Sequence, residues 1–178
     1  MNTASLHQLQ PTELFTTNKQ QHIYLAPDVF GFRSIASRHH NEIFALYLYE
    51  LDEIAGQLYR LLSRGSSLPA QIVCGQQQVQ QYLFARTATT GWLNQVNNVQ
   101  HWLSDGSLTG EQAAHSQLAI PITNSQGQVL GVLYAAHIQP NAITEAELID
   151  CTALAIVIPP LLQKPASGHR DFHQEIKT

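Results

Sequence analysis

The chain has 178 residues, which suits one domain with tails, and its 44% hydrophobic residues are enough for a packed core. Charged residues make up only 12%, the formal net charge is −4, and between His39 and Gln163 the only basic residues besides histidine are Arg60, Arg64 and Arg86. The clustered Lys and Arg needed to displace counterions from a nucleic acid are therefore missing, and direct nucleic-acid binding is not expected. The start of the chain lacks a basic region followed by an apolar core. The longest apolar run, 154–163, is too short for a bilayer and holds two prolines, so a cytoplasmic protein without membrane contact is expected. Cys74 and Cys151 are then expected as reduced thiols, too few for a disulfide framework or a Cys-rich zinc site.

Residues 1–33 mix Thr, Gln, Asn and Pro without periodicity and are expected to form an irregular arm, with the aromatics of "HIYLAPDVFGF" (22–32) docked on the domain. The domain itself is expected over 34–163, followed by a flexible polar tail over 164–178. Ile43, Tyr47, Leu51, Ile54, Leu58, Leu61 and Leu62 recur at spacings that predict a long helix over about 36–64, ended by Arg64 and Gly65. "AQIVCG" (70–75) and "VQQYLFARTA" (79–88) suggest two strands around a Gln-rich turn. Trp92, Val96, Val99 and Leu103 have helical spacing over 91–103, and 104–114 has loop composition.

The clearest signal follows. "SQLAIPIT" (116–123) and "QVLGVLYAAH" (128–137) flank "NSQG", a turn in which Gly can supply positive φ. The second strand is apolar on both faces and should be central and covered on both sides. Gly131 inside it suggests a bulge or a close backbone approach, and Pro121 requires a ladder position without a donor. "ITEAEL" (143–148) reads as a capping box, with Thr144 as N-cap, Glu147 reaching back to its amide, and Ile143 and Leu148 as a hydrophobic staple. Pro159-Pro160 should stop or kink the helix that follows. The order of elements predicts an α+β fold, an antiparallel β-sheet flanked by helices.

Ser116, Ile120-Pro121-Ile122, Gly127, Val129-Leu130-Gly131-Val132-Leu133 and Thr144–Glu147 together resemble the second half of a GAF domain, and "TGWL" (90–93) is similar to the segment that opens its middle part. The resemblance implies a GAF/PAS-like architecture and a role in binding small molecules or dimerising within signalling proteins. It does not imply catalysis, since the motif carries no catalytic residue. Three subtypes are disfavoured residue by residue. Cys74 and Cys151 are followed by Gly75 and Thr152, not by the His of bilin-binding members. Asn18-Lys19 lacks the continuation of the cyclic-nucleotide motif. Two cysteines are fewer than free methionine sulfoxide reductases of this fold use.

Arg86, Trp92, Trp102, His115, Ser116 and Tyr134 are the candidate ligand-binding residues: aromatic walls, plus an Arg to pair with a carboxylate and small polar groups to orient a ligand. Of the nine histidines, His101, His115 and His137 are expected near one end of the sheet. His39-His40 point about 100° apart on a helix and chelate poorly, and His169/His173 lack a third ligand, so no metal site is assigned. Neither a phosphate-binding Gly-rich loop nor a nucleophile motif occurs, no catalytic residue is assigned, and no motif specifies a cofactor. Three functions remain open. The first is a non-catalytic sensory or regulatory module, dimeric through its first and last helices or joined to a protein partner. The second is a protein-interaction subunit with a filled pocket. The third is a small thiol-based redox enzyme using Cys74.

Overall fold

A computed structural model describes residues 31–51, 55–65, 68–100 and 114–162, with the side chains of Pro160 and Leu161 left aside. The elements are α1 (Phe32–Arg38), β1 (Ile43–Leu51), β2 (Gly56–Arg64), β3 (Gln71–Val73), α2 (Gln76–Gln81), α3 (Leu83–Thr90), β4 (Asn94–Val96), β5 (Ser116–Thr123), β6 (Val129–His137), α4 (Glu145–Val157) and α5 (Pro159–Leu162). The described strands form one sheet in the order β3-β2-β1-β6-β5-β4, antiparallel throughout.

The long helix expected over 36–64 is instead a β-hairpin: Leu51 pairs with Gly56, and β1 and β2 run antiparallel from there. The run Ile43–Tyr49 is unbroken in apolar residues, so it satisfies a helical spacing and a strand equally well. Its Tyr and Phe content and Gly56 at the turn favour the strand. Alternation then sends Ile43, Ala45, Tyr47 and Tyr49 to one side of the sheet and Phe44, Leu46 and Leu48 to the other. Gly65 does take positive φ (83°), but it closes a strand, beside the backbone of Glu42.

Two further expectations are overturned. Within 79–88 the chain is helical: the Gln run forms α2, and α3 buries Leu83, Phe84, Ala85, Thr87 and Ala88 before Gly91 ends it at φ 70°. Where a helix was expected from 91, Asn94–Val96 is the short edge strand β4; residues 101–113 lie outside the described part. α1 starts at Phe32, within the stretch expected to be irregular; the rest of the arm and the tail lie outside the described residues.

The hairpin over 116–137 forms as expected, with Gly127 at φ 78° in its turn. Strand β6 is central, between β1 and β5. Gly131 serves both purposes foreseen for it. A Cβ there would land on the Tyr47 carbonyl oxygen of β1, with Leu162 above it. Beside it, Ile122 pairs with Gly131 and Thr123 with Val129, so Leu130 is bulged out. The bulge moves Leu130 off the face of Val132 and Tyr134 and onto that of Leu133 and Ala135. Strand β4 reaches only to Ala119, which leaves β5 without a strand on that side at Pro121.

The sheet has a core on each face. One, under α3, gathers Tyr47, Leu58, Leu83, Phe84, Val96, Val132 and Tyr134. The other, under α1 and α4, gathers Phe32, Phe44, Leu46, Ile120, Ile122, Leu133, Leu154 and Ile158. Thr144 caps α4 through its side chain, which accepts from the Glu147 amide, and Ile143 and Leu148 both pack against this second core. α4 ends at Val157, and the chain resumes as α5 at Pro159, in the interruption that two prolines impose.

Candidate functional site

The face under α3 is built from rings. Tyr47 on β1 stacks on Phe84 of α3 with centroids 4.7 Å apart, Tyr82 lies 5.2 Å from Phe84, and Tyr134 of β6 meets Phe84 edge-on at 5.1 Å. Tyr47 donates its hydroxyl to the Pro69 carbonyl at 3.0 Å. Tyr47, Phe84 and Tyr134 are fully buried and form a floor. Three half-buried side chains, Tyr49, Cys74 and Tyr82, pack against that floor. The Tyr49 ring lies where any Cβ on Gly56 would have to sit, so glycine at 56 is what admits the ring. Burial, and then the Cys74 charge, push the Tyr49 hydroxyl up. Burial pushes the Cys74 thiol up to about 11, which favours the protonated, less reactive form at neutral pH. Cys151 belongs to the opposite core and is pushed up to about 12, first by burial and then by Glu147 and Asp150. The two cysteines are thus separated by the sheet.

The opposite face holds a polar clamp at the end where α1, β1, β6 and α4 meet. His40, at φ 54°, turns the chain from α1 into β1 and sets Asn41 in the interior. Asn41 Nδ2 donates to Glu147 Oε1 and lies 3.1 Å from His137 Nε2. His137 Nε2 lies 2.9 Å from Glu147 Oε2, and His137 Nδ1 lies 3.4 Å from Glu42 Oε2. A carboxylate near each ring nitrogen favours the charged form of His137. The Glu147 hydrogen bond leads in raising the His137 pKa, burial works against it, and the Glu147 and Glu42 charges add to it. Beside this, Asp150 Oδ2 receives Arg38 Nη1 at 2.6 Å and His39 Nε2 at 2.9 Å. The His39 bond, then Arg38, hold the Asp150 carboxyl below its usual range. Glu147 was expected to close the capping box; its carboxylate goes to His137 and Asn41 instead. Among the described residues no group of His, Cys, Asp and Glu is arranged to hold a metal ion.

The candidate ligand-binding residues do not converge on one place. Tyr134 lies in the ring floor. Ser116 pairs with His137 across β5–β6, which puts it on the clamp face, where it is buried and donates to the Gln139 carbonyl at 2.8 Å. His115 is next to it, its amide bonded to the His137 carbonyl, so His115 and His137 do share one sheet end. Arg86 is half-buried on α3, roughly 200° around the helix from Phe84. Trp92 is 75% exposed just beyond α3. Trp102 and His101 lie outside the described residues. Sequence reasoning missed Tyr49 and Tyr82, hidden in segments assigned to the wrong type of element. It also missed Asn41 and Glu42, placed on a helix that does not form. Gly56 was the available signal for the first error.

This architecture, a six-stranded antiparallel sheet with helices on both faces, is that of GAF domains. The GAF domain family model matches residues 28–158, well over half of the chain, and the chain belongs to the GAF domain family. Among solved structures, the GAF domain of an Acinetobacter phosphoenolpyruvate-protein phosphotransferase is similar at TM-score 0.61 and 19% identity, over 82% of this chain and 84% of that one. The type II free methionine-R-sulfoxide reductase of Thermoplasma acidophilum is similar at TM-score 0.60 and 13% identity, over 75% and 87%. The free methionine-R-sulfoxide reductase of Neisseria meningitidis, in complex with its substrate, is similar at 0.56 and 16%, over 75% and 71%. At such identities the likeness is one of fold. Among curated proteins none matches. No described helix is long and apolar enough to cross a membrane.

Proposed function

We propose that this GAF domain is a non-catalytic binding module of a signalling pathway, and that it takes a small, planar, weakly charged molecule against Tyr49, Cys74 and Tyr82. The observation that carries this is the contrast within the ring face: a fully buried floor with three half-buried side chains packed against it. Aromatic and thiol surface with few polar groups suits a flat apolar ligand, with the Tyr49 hydroxyl to orient it.

Thiol chemistry is the weaker reading. The two structural relatives named as methionine sulfoxide reductases support the fold, but Cys74 is a protonated thiol and Cys151 lies across the sheet from it.

Native mass spectrometry of the purified chain, followed by a thermal-shift screen of heteroaromatic compounds, tests the proposal. A bound or binding compound whose effect is lost in Tyr82→Ala and Tyr49→Ala, yet kept in Cys74→Ser, is expected. A chain that carries nothing and responds to no aromatic compound would overturn it. Dependence of an activity on Cys74 would restore the thiol reading.

A further inference from the structure

We infer that the His137 clamp is a proton-operated latch on α1. The charged ring holds α1 and the turn after it against α4 and β6, and loss of the ring's proton to solvent releases that end while the sheet and α4 stay folded. This goes beyond ligand binding and does not depend on it. The latch rests on a count of hydrogens. A charged imidazole carries an N–H on each nitrogen, whereas a neutral one has a single N–H and a lone pair on the other side. His137 has a carboxylate at both: Glu147 Oε2 is 2.9 Å from Nε2, and Glu42 Oε2 is 3.4 Å from Nδ1. A neutral ring therefore sets its lone pair against one carboxylate, whichever tautomer it adopts.

The other groups around the ring do not make up that loss. From the turn after α1, Asn41 Nδ2 lies 3.1 Å from His137 Nε2 but is engaged with Glu147. From the end of β5, His115 reaches His137 through its backbone amide, and Ser116 donates to the Gln139 carbonyl. From α4, Cys151 is near Glu147, but burial pushes its thiol up to about 12, and it supplies no cation. From β2, Arg64 is turned to Ser37. Arg38 and His39 both go to Asp150, and the Arg38 side chain is 60% exposed, so that pair contributes little.

Packing decides which side opens. Strand β6 is central in the sheet, and α4 is anchored by Cys151, Leu154 and Ala155. Helix α1 has only seven residues and buries Phe32, Ile35 and Ala36. Its N-cap, Gly31, makes no side-chain bond, and its first turn has no acidic residue. A helix far shorter than the ~12–15 residues that are marginal alone depends on what it is tied to. The turn also carries a standing cost: Asn41 is 1% exposed, and its Oδ1 is buried without a hydrogen-bond partner. Opening would give that oxygen water, so the closed state holds only while the ring's charge outweighs the cost. The direction in pH follows. The His137 pKa is raised above 6.5, chiefly by the Glu147 hydrogen bond, so its contribution is complete below 6.5 and lost as pH rises through the raised value.

Hydrogen exchange on the full chain from about pH 6 to about pH 9, with each rate divided by the amide's intrinsic rate at that pH, tests it. The amides of His39, His40 and Asn41, bonded to the Ile35, Ser37 and Ala36 carbonyls, report the latch, and those of β6 and Ile158 report the rest. Protection of the latch amides should fall about tenfold per pH unit between 6.5 and the raised pKa, then level off, while the others keep theirs. His137→Gln, whose amide also offers one carboxylate an acceptor, should show the low protection already at about pH 6. Glu42→Gln, at a side chain 40% exposed, keeps the test open if that variant fails to fold. Its amide can accept from an N–H at Nδ1 or donate to a lone pair there, so the latch should stay protected across the range. Latch protection that ignores pH, an equal loss in every element, or a Glu42→Gln chain that loosens as the unaltered one does would each overturn the proposal.

Discussion

The two faces of the sheet solve the same packing problem with different materials. Under α3 the core is aromatic, and it meets its polar needs one at a time, as when Tyr47 bonds the Pro69 carbonyl. Under α1 and α4 the core is mainly aliphatic and is closed at one end by a charged cluster of His137, Glu147, Glu42 and Asn41. Rings interlock by shape and tolerate a half-open border. A buried ion pair cannot lose a partner cheaply, because a lone charge in the interior costs several kcal/mol. Under the proposed function the ring face takes the guest, while the clamp ties α1 to α4 through Asn41–Glu147 and Arg38–Asp150.

That contrast can be broken most forcefully at the clamp. His137→Ala leaves the Glu147 carboxylate buried without its cation and should cost roughly 3–5 kcal/mol in denaturant unfolding near pH 6. The penalty depends on pH. Because the folded-state pKa of His137 is raised above 6.5, its contribution is complete below that value and is lost as pH rises through the raised one. The difference between the two proteins should therefore shrink toward pH 9; a constant difference would mean that the pair carries no charge.

On the ring face, Tyr47→Phe removes one hydroxyl bond and keeps the stack, so about 1 kcal/mol should be lost, with no pH dependence below the tyrosine range. A smaller or equal loss, about 1 kcal/mol, is expected of Thr144→Ala, which uncaps α4 beside the clamp without touching its charges. Should that loss vary with pH in the manner of His137→Ala, the cap and the clamp would be one unit. The smallest quantity is the sharpest. The coupling between His137→Ala and Tyr47→Phe should stay within about 0.5 kcal/mol, as for sites without shared partners. A larger value in the double-mutant cycle would mean that the faces communicate through the sheet.

How much of this was legible in the sequence varies with distance along the chain. The β5–β6 hairpin and the α4 cap were readable because each is encoded within about twenty residues: a turn glycine between apolar runs, and Thr144 one residue before a helix. The β1–β2 hairpin was equally local and still misread, since an unbroken apolar run carries no period of its own and the decisive residue, Gly56, was absorbed into a helix. The clamp was out of reach. Asn41 and Glu147 are 106 positions apart, and only the closed fold brings them together. His137 could be singled out as a residue of interest, but nothing near it in sequence names its partners.

The bulges at Leu61 and Leu130 bear on how this chain can change in length. Anywhere else in a strand, losing one residue turns every later side chain to the other face, exchanging rings for aliphatics. At Leu61 the neighbours Arg60 and Leu62 already pair with the consecutive residues Tyr47 and Leu46, and at Leu130 the neighbours Val129 and Gly131 already face the consecutive residues Thr123 and Ile122. Deleting either leucine would leave an ordinary ladder with every other residue facing as before. In a sheet whose two sides are so unlike, these are the positions where a one-residue deletion costs a single side chain and not a whole strand.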